Sequence, residues 1–525
     1  MKKIVILLCA LCAFSQLISG DTLHWSGPVA ISTPKAMASD PQVVMDGNTN
    51  VTAIWVENTL VMASSQPVNG SWSVPTQLSN PGASSPKLGM DSSGNVTALW
   101  LENGVVNSAT LSLKGSWSVA TIISSSGASS PALAVDPTGN AVAVWVRNGV
   151  VESSTQLLGG SWGSVSPLTN TPSSSPDVAI GANGTVVAIW NAMIPGFSTL
   201  QSASASIGGS WNPAVNVLNL PDEFTHNFPK VVVDRYGEAT ALWLRYDFNN
   251  GVYEEIFVSA ATLHPDTAAW GAPTILANGG QVVDIANIST RLAIDSQGNA
   301  IGLWCFSYDG STYNIESSFK LVEGNWSPPI MLQIGVLYAF QIDVAANNAL
   351  GDAAVAYMVY DGVSSSIIIS HETNLAVPGF KGWTIPTRIS QGVSNGYPQI
   401  ATCLNENGIF AAAVWVYFDG ISNEIVAARG SKTVIVPPTN LAVRQDVRDF
   451  GVFTNYYNTI SWTLSSAPNI VKYNIYRNGF YFTSVDPYVT QVIDYNAIQN
   501  APVIYGIAAE DASLSQSLIA EVSFP

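Results

Sequence analysis

The sequence predicts an all-β protein, and two residue series and the composition indicate this fold class. Tryptophan recurs every 45 residues at positions 55, 100, 145 and 190. Glycine and proline number 42 and 29, while charged residues make up only 10% of the chain. This composition favours short strands and turns over helices. The first series continues with Trp243, Trp304, Tyr357 and Trp415, and a second series contains Trp72, Trp117, Trp162, Trp211, Trp270, Trp326 and Trp383, with Trp25 as an eighth member.

Each repeat is predicted to contain four short strands. In the third repeat the apolar alternation places them at residues 131–136, 141–145, 150–155 and 162–168. Asp136 begins a tight turn, in which its carboxylate is expected to cap loop amides and Gly139 to take a positive φ. Asn148-Gly149 is a two-residue hairpin signal between the second and third strands.

Four-stranded units of this length, repeated many times, are typical of propeller blades. We expect eight blades, with seven as the main alternative. The strand at Trp25 has no blade of its own at the N-terminus. It is predicted to join the three strands between Pro398 and Arg429, which would complete the eighth blade and close the ring without a free sheet edge.

The repeats resemble the degenerate Asp-box repeats of the sialidase-like superfamily. In that family the box reads Ser-x-Asp-x-Gly-x-Thr-Trp, and here residues 204–211 keep the frame, with Ser206 and Ser210 replacing the Asp and the Thr. The other copies keep little beyond Gly and Trp. The resemblance covers about residues 22–432 and implies the propeller fold.

The repeat pattern stops near Pro437, and residues 437–525 resemble a fibronectin type III module, which is a seven-stranded sandwich. The matching segments are residues 438–441, 460–462, 473–479, 493–494 and 505–510. We expect Trp462 and Tyr505 to belong to its core.

Residues 1–20 are predicted to be an export signal that is removed, which leaves a propeller at 21–432. Lys2 and Lys3 precede the apolar run Ile4–Phe14, and small residues follow at Ser19-Gly20. This run is too short to span a bilayer, and we expect no membrane span elsewhere. We expect the final compartment to be extracellular, cell-surface or periplasmic.

Charge and cysteine content restrict the partners. The formal charge is −17, or −19 without the two lysines of residues 1–20, and such an acidic chain is repelled by nucleic acid and anionic lipid.

Cys9 and Cys12 leave with the signal. Cys305 and Cys403 remain, and buried thiols are expected, with a disulfide as the alternative.

Motifs for catalysis are absent from the sequence. The sialidase resemblance implies an arginine two residues before the proline of the first strand, but those positions hold Ser39, Ser84, Ser129, Ser174, Asn227 and Gly396. Convergence of Arg235, Arg245, Arg291 and Arg388 is an alternative. The histidines lack metal-ligand spacing, and the repeated Asp residues are interpreted as turn caps rather than calcium ligands. We therefore expect no catalytic residue, metal or cofactor.

The later repeats carry a distinctive turn between the second and third strands. Early turns are short, as at 102–104, whereas later ones become aromatic and acidic, and the loop 221–226 is expected on the same face. Aromatic rings stack on sugars and carboxylates accept hydroxyl hydrogen bonds, although simple packing of the rings is the alternative. The predicted ligand-binding residues are Tyr246, Asp247, Tyr308, Asp309, Tyr360, Asp361, Phe418 and Asp419.

Two functions remain open. The first is an exported, non-catalytic propeller that binds glycan or a surface protein. The alternative is a secreted carbohydrate-active enzyme, a glycoside hydrolase or lyase, that uses carboxylates on one propeller face. Two carboxylates converging with an arginine or histidine at the channel would favour the enzyme.

Overall fold

The structure is a computed structural model, in which chain contacts define two compact units: Leu23–Lys432, and a second that contains Thr433–Pro525. It describes residues 23–524 except positions 69, 114, 195–196, 219–223, 250–251, 266–268, 280–288, 308–311, 337, 347–351, 361–364, 373–382, 384–386, 393–398, 405–409, 419–420, 433–434, 450, 452–453, 468–469, 479, 512–516 and 518–519. The predicted export signal lies outside these residues. The described residues contain no helix, and so none with the length and apolarity that crossing a bilayer requires.

The first half of the larger unit begins with two short strands and four antiparallel sheets. The chain starts with β1 (Leu23–Trp25) and β2 (Val29–Ala30). Sheet 1 contains β3 (Ala38–Met45), β4 (Val51–Glu57), β5 (Leu60–Gln66) and β6 (Thr76–Gln77); sheet 2 contains β7 (Ala83–Met90), β8 (Val96–Glu102), β9 (Val105–Leu111) and β10 (Thr121–Ile122); sheet 3 contains β11 (Ala128–Val135), β12 (Ala141–Arg147), β13 (Val150–Gln156) and β14 (Ser166–Pro167); sheet 4 contains β15 (Ser173–Ile180), β16 (Thr185–Ile194), β17 (Phe197–Ser206) and β18 (Val215–Asn216).

The second half continues the same pattern. Sheet 5 contains β19 (Thr225–Val233), β20 (Ala239–Asn249), β21 (Val252–His264), β22 (Ala269–Trp270) and β23 (Thr274–Asn278); sheet 6 contains β24 (Ser289–Ile294), β25 (Ala300–Phe306), β26 (Tyr313–Lys320) and β27 (Ile330–Val336); sheet 7 contains β28 (Tyr338–Ala346), β29 (Ala353–Tyr360), β30 (Ser365–Glu372) and β31 (Thr387–Gly392); sheet 8 contains β32 (Ile400–Leu404), β33 (Phe410–Phe418) and β34 (Asn423–Lys432), together with β1 and β2.

The eight sheets found among the described residues form a closed, propeller-like ring. The first strand of each sheet contacts the first strand of the next, in the order β3, β7, β11, β15, β19, β24, β28 and β32, and β32 returns to β3. The first strands therefore enclose a central channel. The apolar cores lie between neighbouring sheets; Leu99 and Trp145, for example, share one core between sheets 2 and 3.

The N-terminal strand closes the ring, as the sequence predicted. β1 pairs antiparallel with β34, with Leu23 opposite Lys432 and Trp25 opposite Gly430. Ser26 then donates its backbone N–H to the Arg429 carbonyl at 2.7 Å. Sheet 8 is thus built from both ends of the unit, so its outer edge is paired by the start of the chain.

The local chemistry of the repeat explains its strands. The tryptophans of the first series are all buried in the second strands, with side chains at most 1% exposed. The turn prediction is confirmed, because Asp136 Oδ1 accepts the backbone N–H groups of Thr138 and Asn140 at 2.9 Å, and Gly139 has a φ of +96°. The fourth strand was predicted too long: β14 spans only Ser166–Pro167, and Trp162 forms an isolated bridge with Gln156.

The C-terminal unit contains seven strands in its described residues, arranged as two sheets. They are β35 (Thr439–Asp449), β36 (Thr454–Thr463), β37 (Ile470–Arg477), β38 (Phe480–Val485), β39 (Gln491–Asp494), β40 (Val503–Asp511) and β41 (Ala520–Phe524), with sheet orders β35-β36-β39 and β38-β37-β40-β41. Trp462 and Tyr505 are buried in its core, as expected. Ile435 also belongs to this core, so the packed unit begins before the predicted position 437.

Cys305 and Cys403 are both buried and are not joined by a disulfide, which supports the thiol interpretation. Burial raises the pKa of the Cys403 thiol to about 12. A thiol held in this protonated form is a poor nucleophile and metal ligand.

Candidate functional site

The aromatic turns predicted as a ligand site are described only in part. Tyr308, Asp309, Asp361 and Asp419 lie outside the described residues, whereas Tyr246, Asp247, Tyr360 and Phe418 lie within them. The last four occupy the end of the second strand in sheets 5, 7 and 8. Because these strands hold equivalent places in the ring, their ends point to the same face.

The described members of this set differ in exposure. Tyr246 is only 7% exposed and packs in the core shared by sheets 5, 6 and 7, which leaves little of its ring accessible. Tyr360, Phe418 and Asp247 are partly exposed. Stacking on a sugar needs an open ring face, so Tyr360 and Phe418 remain the better candidates among these four.

A second set of residues lines the channel, and we call it the channel layer. Each second strand carries one aromatic residue of the first series, such as Trp100 in sheet 2. The residue just before it pairs with one residue of the first strand: Leu99 pairs with Lys87, and Ile189 pairs with Asp177. Equivalent register places these side chains at the same height around the ring. The channel layer consists of Gln42, Lys87, Ala132, Asp177, Lys230, Arg291, Asp343 and Ala401.

A β-bulge positions most members of the layer. It recurs on the first strands of sheets 1–5 and 7. In each bulge, the residue two places before the layer residue has a positive φ, between 46° and 53°. In five of the six bulges, the residue between these two is a proline. A non-glycine residue in this conformation costs about 1 kcal/mol or more, and such strain often marks functional sites. The bulge residues are Asp40, Ser85, Ser130, Ser175, Phe228 and Gln341.

The layer contains two ion pairs that join neighbouring sheets. Lys230 Nζ lies 3.4 Å from Asp177 Oδ1, and Arg291 Nε lies 3.7 Å from Asp343 Oδ1. Each carboxylate also accepts a backbone N–H from the next first strand: Val231 donates to Asp177 at 3.0 Å, and Thr402 donates to Asp343 at 2.7 Å. Both aspartates therefore help to hold adjacent first strands together.

Charges in the layer act on one another across the channel. Burial, together with the positive charges of Lys230 and Arg291 three and four sheets away, lowers the pKa of Lys87 to about 8. Burial also raises the pKa of Asp343 to about 6, although Arg291 and the Thr402 N–H oppose this change. Groups from sheets 2, 5, 6 and 7 thus share one electrostatic environment.

Most of this layer was not predicted from the sequence, and the four arginines considered as an alternative lie on different elements. Of the four arginines considered, Arg291 lies in the layer, but Arg235 follows a first strand and Arg388 lies on a fourth strand. Arg245 lies on a second strand, where its guanidinium stacks 4.3 Å from the Phe224 ring. The sequence does contain a signal for three of the charged layer residues. Lys87, Asp177 and Lys230 each directly follow the proline of a first strand.

Metal binding has no support in the described part of the chain, where no group of three His, Cys, Asp or Glu side chains could hold an ion. The repeated turn aspartates instead accept local hydrogen bonds. For Asp136, burial favours the neutral form, but hydrogen bonds donated by Asn140 and Thr138 outweigh it and lower the pKa of the carboxyl below its ordinary value.

Comparisons with known proteins give remote structural similarity. No family model and no curated protein matches the chain. A protein of unknown function from Dyadobacter fermentans has a TM-score of 0.38 and 11% identity, over 78% of this chain and 99% of its own. The polysaccharide lyase Uly1 has a TM-score of 0.39 and 8% identity, over 77% and 91%. An endo-arabinase from Bacteroides thetaiotaomicron has a TM-score of 0.29 and 15% identity, over 52% and 97%.

Proposed function

We propose that this chain is an exported carbohydrate-active enzyme that cleaves glycan at the channel layer. The observation that carries the proposal is the presence of two ion pairs in the channel layer, Lys230–Asp177 and Arg291–Asp343, with the Lys230 charge acting on Asp343 as well. Glycosidic bond cleavage needs an acid and a base or nucleophile at one centre, and two carboxyl groups in different environments provide this pair.

The proposed roles follow from the surroundings of each carboxyl group. Asp343, whose pKa burial raises to about 6, holds a proton under mildly acidic conditions and would donate it to the glycosidic oxygen. Asp177 is ion-paired with Lys230 and would act as the base or nucleophile. Arg291 would hold the Asp343 carboxyl group in position through its ion pair.

The domain organisation is part of the same proposal. The unit Leu23–Lys432 would be an eight-bladed propeller, supported by its eight sheets and the paired β1 and β34. The C-terminal unit would be a fibronectin type III spacer, supported by its sheets of three and four strands. In its core Tyr505 donates a hydrogen bond to Asp494 Oδ2 at 2.6 Å. Export is supported by the leader-like residues 1–20.

The catalytic proposal is tested by polysaccharide cleavage. The purified mature protein is incubated with a panel of plant and bacterial polysaccharides, and new chain ends are measured. Activity should decline above about pH 6, because Asp343 loses its proton there. The variant Asp343→Asn should lower kcat by about 100-fold or more. Glu323→Gln removes an exposed carboxylate of the same unit and should leave kcat unchanged. Full activity in Asp343→Asn, or no activity on any substrate, would contradict the proposal.

Non-catalytic glycan binding is the second candidate, and the partly exposed Tyr360 and Phe418 on one face favour it. Replacing Tyr308 and Tyr360 together by Ala should weaken glycan binding by about 2 kcal/mol through lost stacking area. Binding is measured by titration calorimetry with any glycan that the protein retains on an array. Equal affinity in the double variant and the wild type would remove the aromatic turns from the site.

The control for this experiment should avoid the early turns. Arg147 makes a 2.5 Å ion pair with the buried Glu152, which also accepts the Trp145 indole N–H at 3.0 Å. Replacing Arg147 therefore perturbs the core of sheet 3 as well as the surface. Lys35→Ala and Glu323→Ala alter exposed side chains instead and are the better comparison.

A further inference from the structure

Cations are concentrated in the channel layer. Three of the 19 lysine and arginine residues, Lys87, Lys230 and Arg291, lie among its eight positions, although the chain has a formal charge of −17. With Asp177 and Asp343 ionised, three cations face two carboxylates, which leaves a surplus of one positive charge. An acidic protein that keeps this surplus in its channel has a site suited to a negative group.

Lys87 is the cation that carries the surplus. Lys230 and Arg291 each lie within 4 Å of a carboxylate, whereas Lys87 makes no ion pair with a described residue. Its neighbours in the layer are Gln42 and Ala132, on sheets 1 and 3, and neither is charged. No adjacent layer residue can therefore neutralise the Lys87 ammonium group.

Two carboxylates attract the Lys87 ammonium group: the first is Asp177, which is paired with Lys230, and the second is Asp40. It lies at the bulge of sheet 1, where its Oδ1 accepts the Gln399 side-chain amide at 2.6 Å and its Oδ2 accepts the Ser39 hydroxyl at 3.1 Å. These hydrogen bonds hold Asp40 against sheet 8, on the side of Gln42 away from Lys87. Its attraction is weaker than the effects of burial and of the two cations, because the pKa of Lys87 still falls to about 8.

We infer that the channel layer binds a carboxylate of an acidic sugar, with the Lys87 ammonium group as its direct partner and Lys230 and Arg291 as further donors. The inference rests on the proposed function for the ligand being carbohydrate. A single negative charge matches the surplus of one, whereas a phosphate dianion or a densely sulfated chain exceeds it.

The test compares charged and uncharged forms of the same sugar. Binding to the mature wild-type protein is measured at pH 7 and low salt with short oligogalacturonates and oligoglucuronates, and with the same oligosaccharides after methyl esterification. The acidic forms should bind and the esters should bind at least about tenfold more weakly, since the ester cannot pair with Lys87. Affinity should fall with salt and above pH 8, as Lys87 loses its proton.

Variants identify the group responsible. Lys87→Gln should lower affinity for the acidic oligosaccharides at least about tenfold, and Lys87→Arg should retain most of it. Lys35→Gln, which removes an exposed cation of the same unit, should have no effect. Thermal unfolding confirms that each variant folds. Equal binding of acid and ester, no binding of either acid, or unchanged affinity in Lys87→Gln would overturn the inference.

The outcomes also separate this inference from the proposed function. Binding of uronate oligosaccharides that depends on Lys87, without cleavage of any polysaccharide, would keep the inference and remove the enzyme. Cleavage of neutral polysaccharides without uronate binding would keep the enzyme and remove the inference. Tighter binding of inorganic phosphate or sulfate than of uronate would also overturn the assignment to a carboxylate.

Discussion

Lys87 and Asp343 show how a charge in the channel affects folding. Each is surrounded by protein atoms that disfavour its charged form, which lowers the pKa of Lys87 and raises that of Asp343. Asp343 recovers part of this cost from Arg291 and the Thr402 N–H. Lys87 has no comparable partner among the described residues, so its charge opposes folding at neutral pH.

We predict that Lys87→Met stabilises the protein at pH 7. The folded pKa of Lys87 is about 8 and its ordinary value is 10.5, so the charged group opposes folding fully below pH 8. Between pH 8 and 10.5 the folded state holds fewer protons than the unfolded state. The unfavourable contribution of the Lys87 charge to folding therefore disappears over this range. The free energy of unfolding should rise by about 1–3 kcal/mol at pH 7.

Urea unfolding of the wild type and Lys87→Met at pH 7 and pH 10.5 tests this prediction. The stability difference between the two proteins should shrink at the higher pH, while Lys35→Met should match the wild type at both. A variant less stable than the wild type at pH 7 would mean that Lys87 stabilises the ring rather than serving its ligand.

At the scale of the element, the hairpins between second and third strands show how turn chemistry sets strand pairing. In sheets 2 and 3 the two turn residues are Asn-Gly, with positive φ at both positions, as a type I′ turn requires. Sheet 1 has Asn58-Thr59 at the same place, and Thr59 adopts a φ of +69°. A β-branched residue is strained in this conformation, so the first hairpin is held by its surroundings.

We predict that Thr59→Gly stabilises the protein by about 1 kcal/mol, because glycine relieves the left-handed strain at an exposed position. The reverse change, Gly104→Thr, should destabilise by a similar amount. A Cβ at Gly104 would meet its nearest neighbour, the Gly127 nitrogen, at an ordinary 3.6 Å, so the Cβ itself causes no clash. Thermal unfolding of both variants checks the pair; a shift of the same sign in both would contradict this explanation.

For the whole molecule, closure of the ring depends on the first residues of the larger unit. Leu23 is buried, and the Ile31 N–H donates to the Ile425 carbonyl at 2.8 Å. Ser32 Oγ accepts the Ile425 N–H at 2.9 Å. These contacts join positions almost 400 residues apart, so they constrain the whole ring rather than one sheet.

We predict that Gly430→Val weakens ring closure and lowers stability by about 1–3 kcal/mol. A Cβ at Gly430 would lie 2.9 Å from Trp25 Cε2, which is too close unless β1 moves. Gly27→Ala is the control, because a Cβ there meets nothing within 4 Å. Deletion of residues 21–33 should have a larger effect in the same direction. An unchanged melting temperature in both the deletion and Gly430→Val would remove the closing role of β1.

The boundary of the C-terminal unit gives a further prediction. Ile435 is buried in the sandwich core, and Ser465 Oγ donates to the Val436 carbonyl at 2.5 Å. A fragment of residues 433–525 should therefore fold alone and be more stable than a fragment of residues 440–525, which lacks Ile435. Chemical denaturation of the two fragments compares them. Equal stability would place Ile435 outside the folding unit, and an unfolded longer fragment would exclude independent folding.

Features that depend on a local residue pattern could be predicted from the sequence. Alternating apolar runs, Asn-Gly pairs and the Asp136-type turn predict strands and hairpins because side-chain direction and turn dihedrals are set by a few neighbouring residues. The tryptophan series and the extra element at Trp25 were sufficient to predict β1 in sheet 8. The short β14 was not predicted, because its length depends on how many of its residues pair with β13 and not only on its own apolar pattern.

The composition of the channel layer, in contrast, follows from the folded ring. Lys87, Asp177, Lys230, Arg291 and Asp343 occur on different repeats, and no local pattern links a lysine in one repeat to an aspartate two repeats later. Ring closure brings equivalent positions of all eight sheets to one height, and burial there changes their proton affinities. A repeat sequence specifies the blade, whereas the electrostatics of the channel arise where the blades meet, because charges act through space and not along the chain.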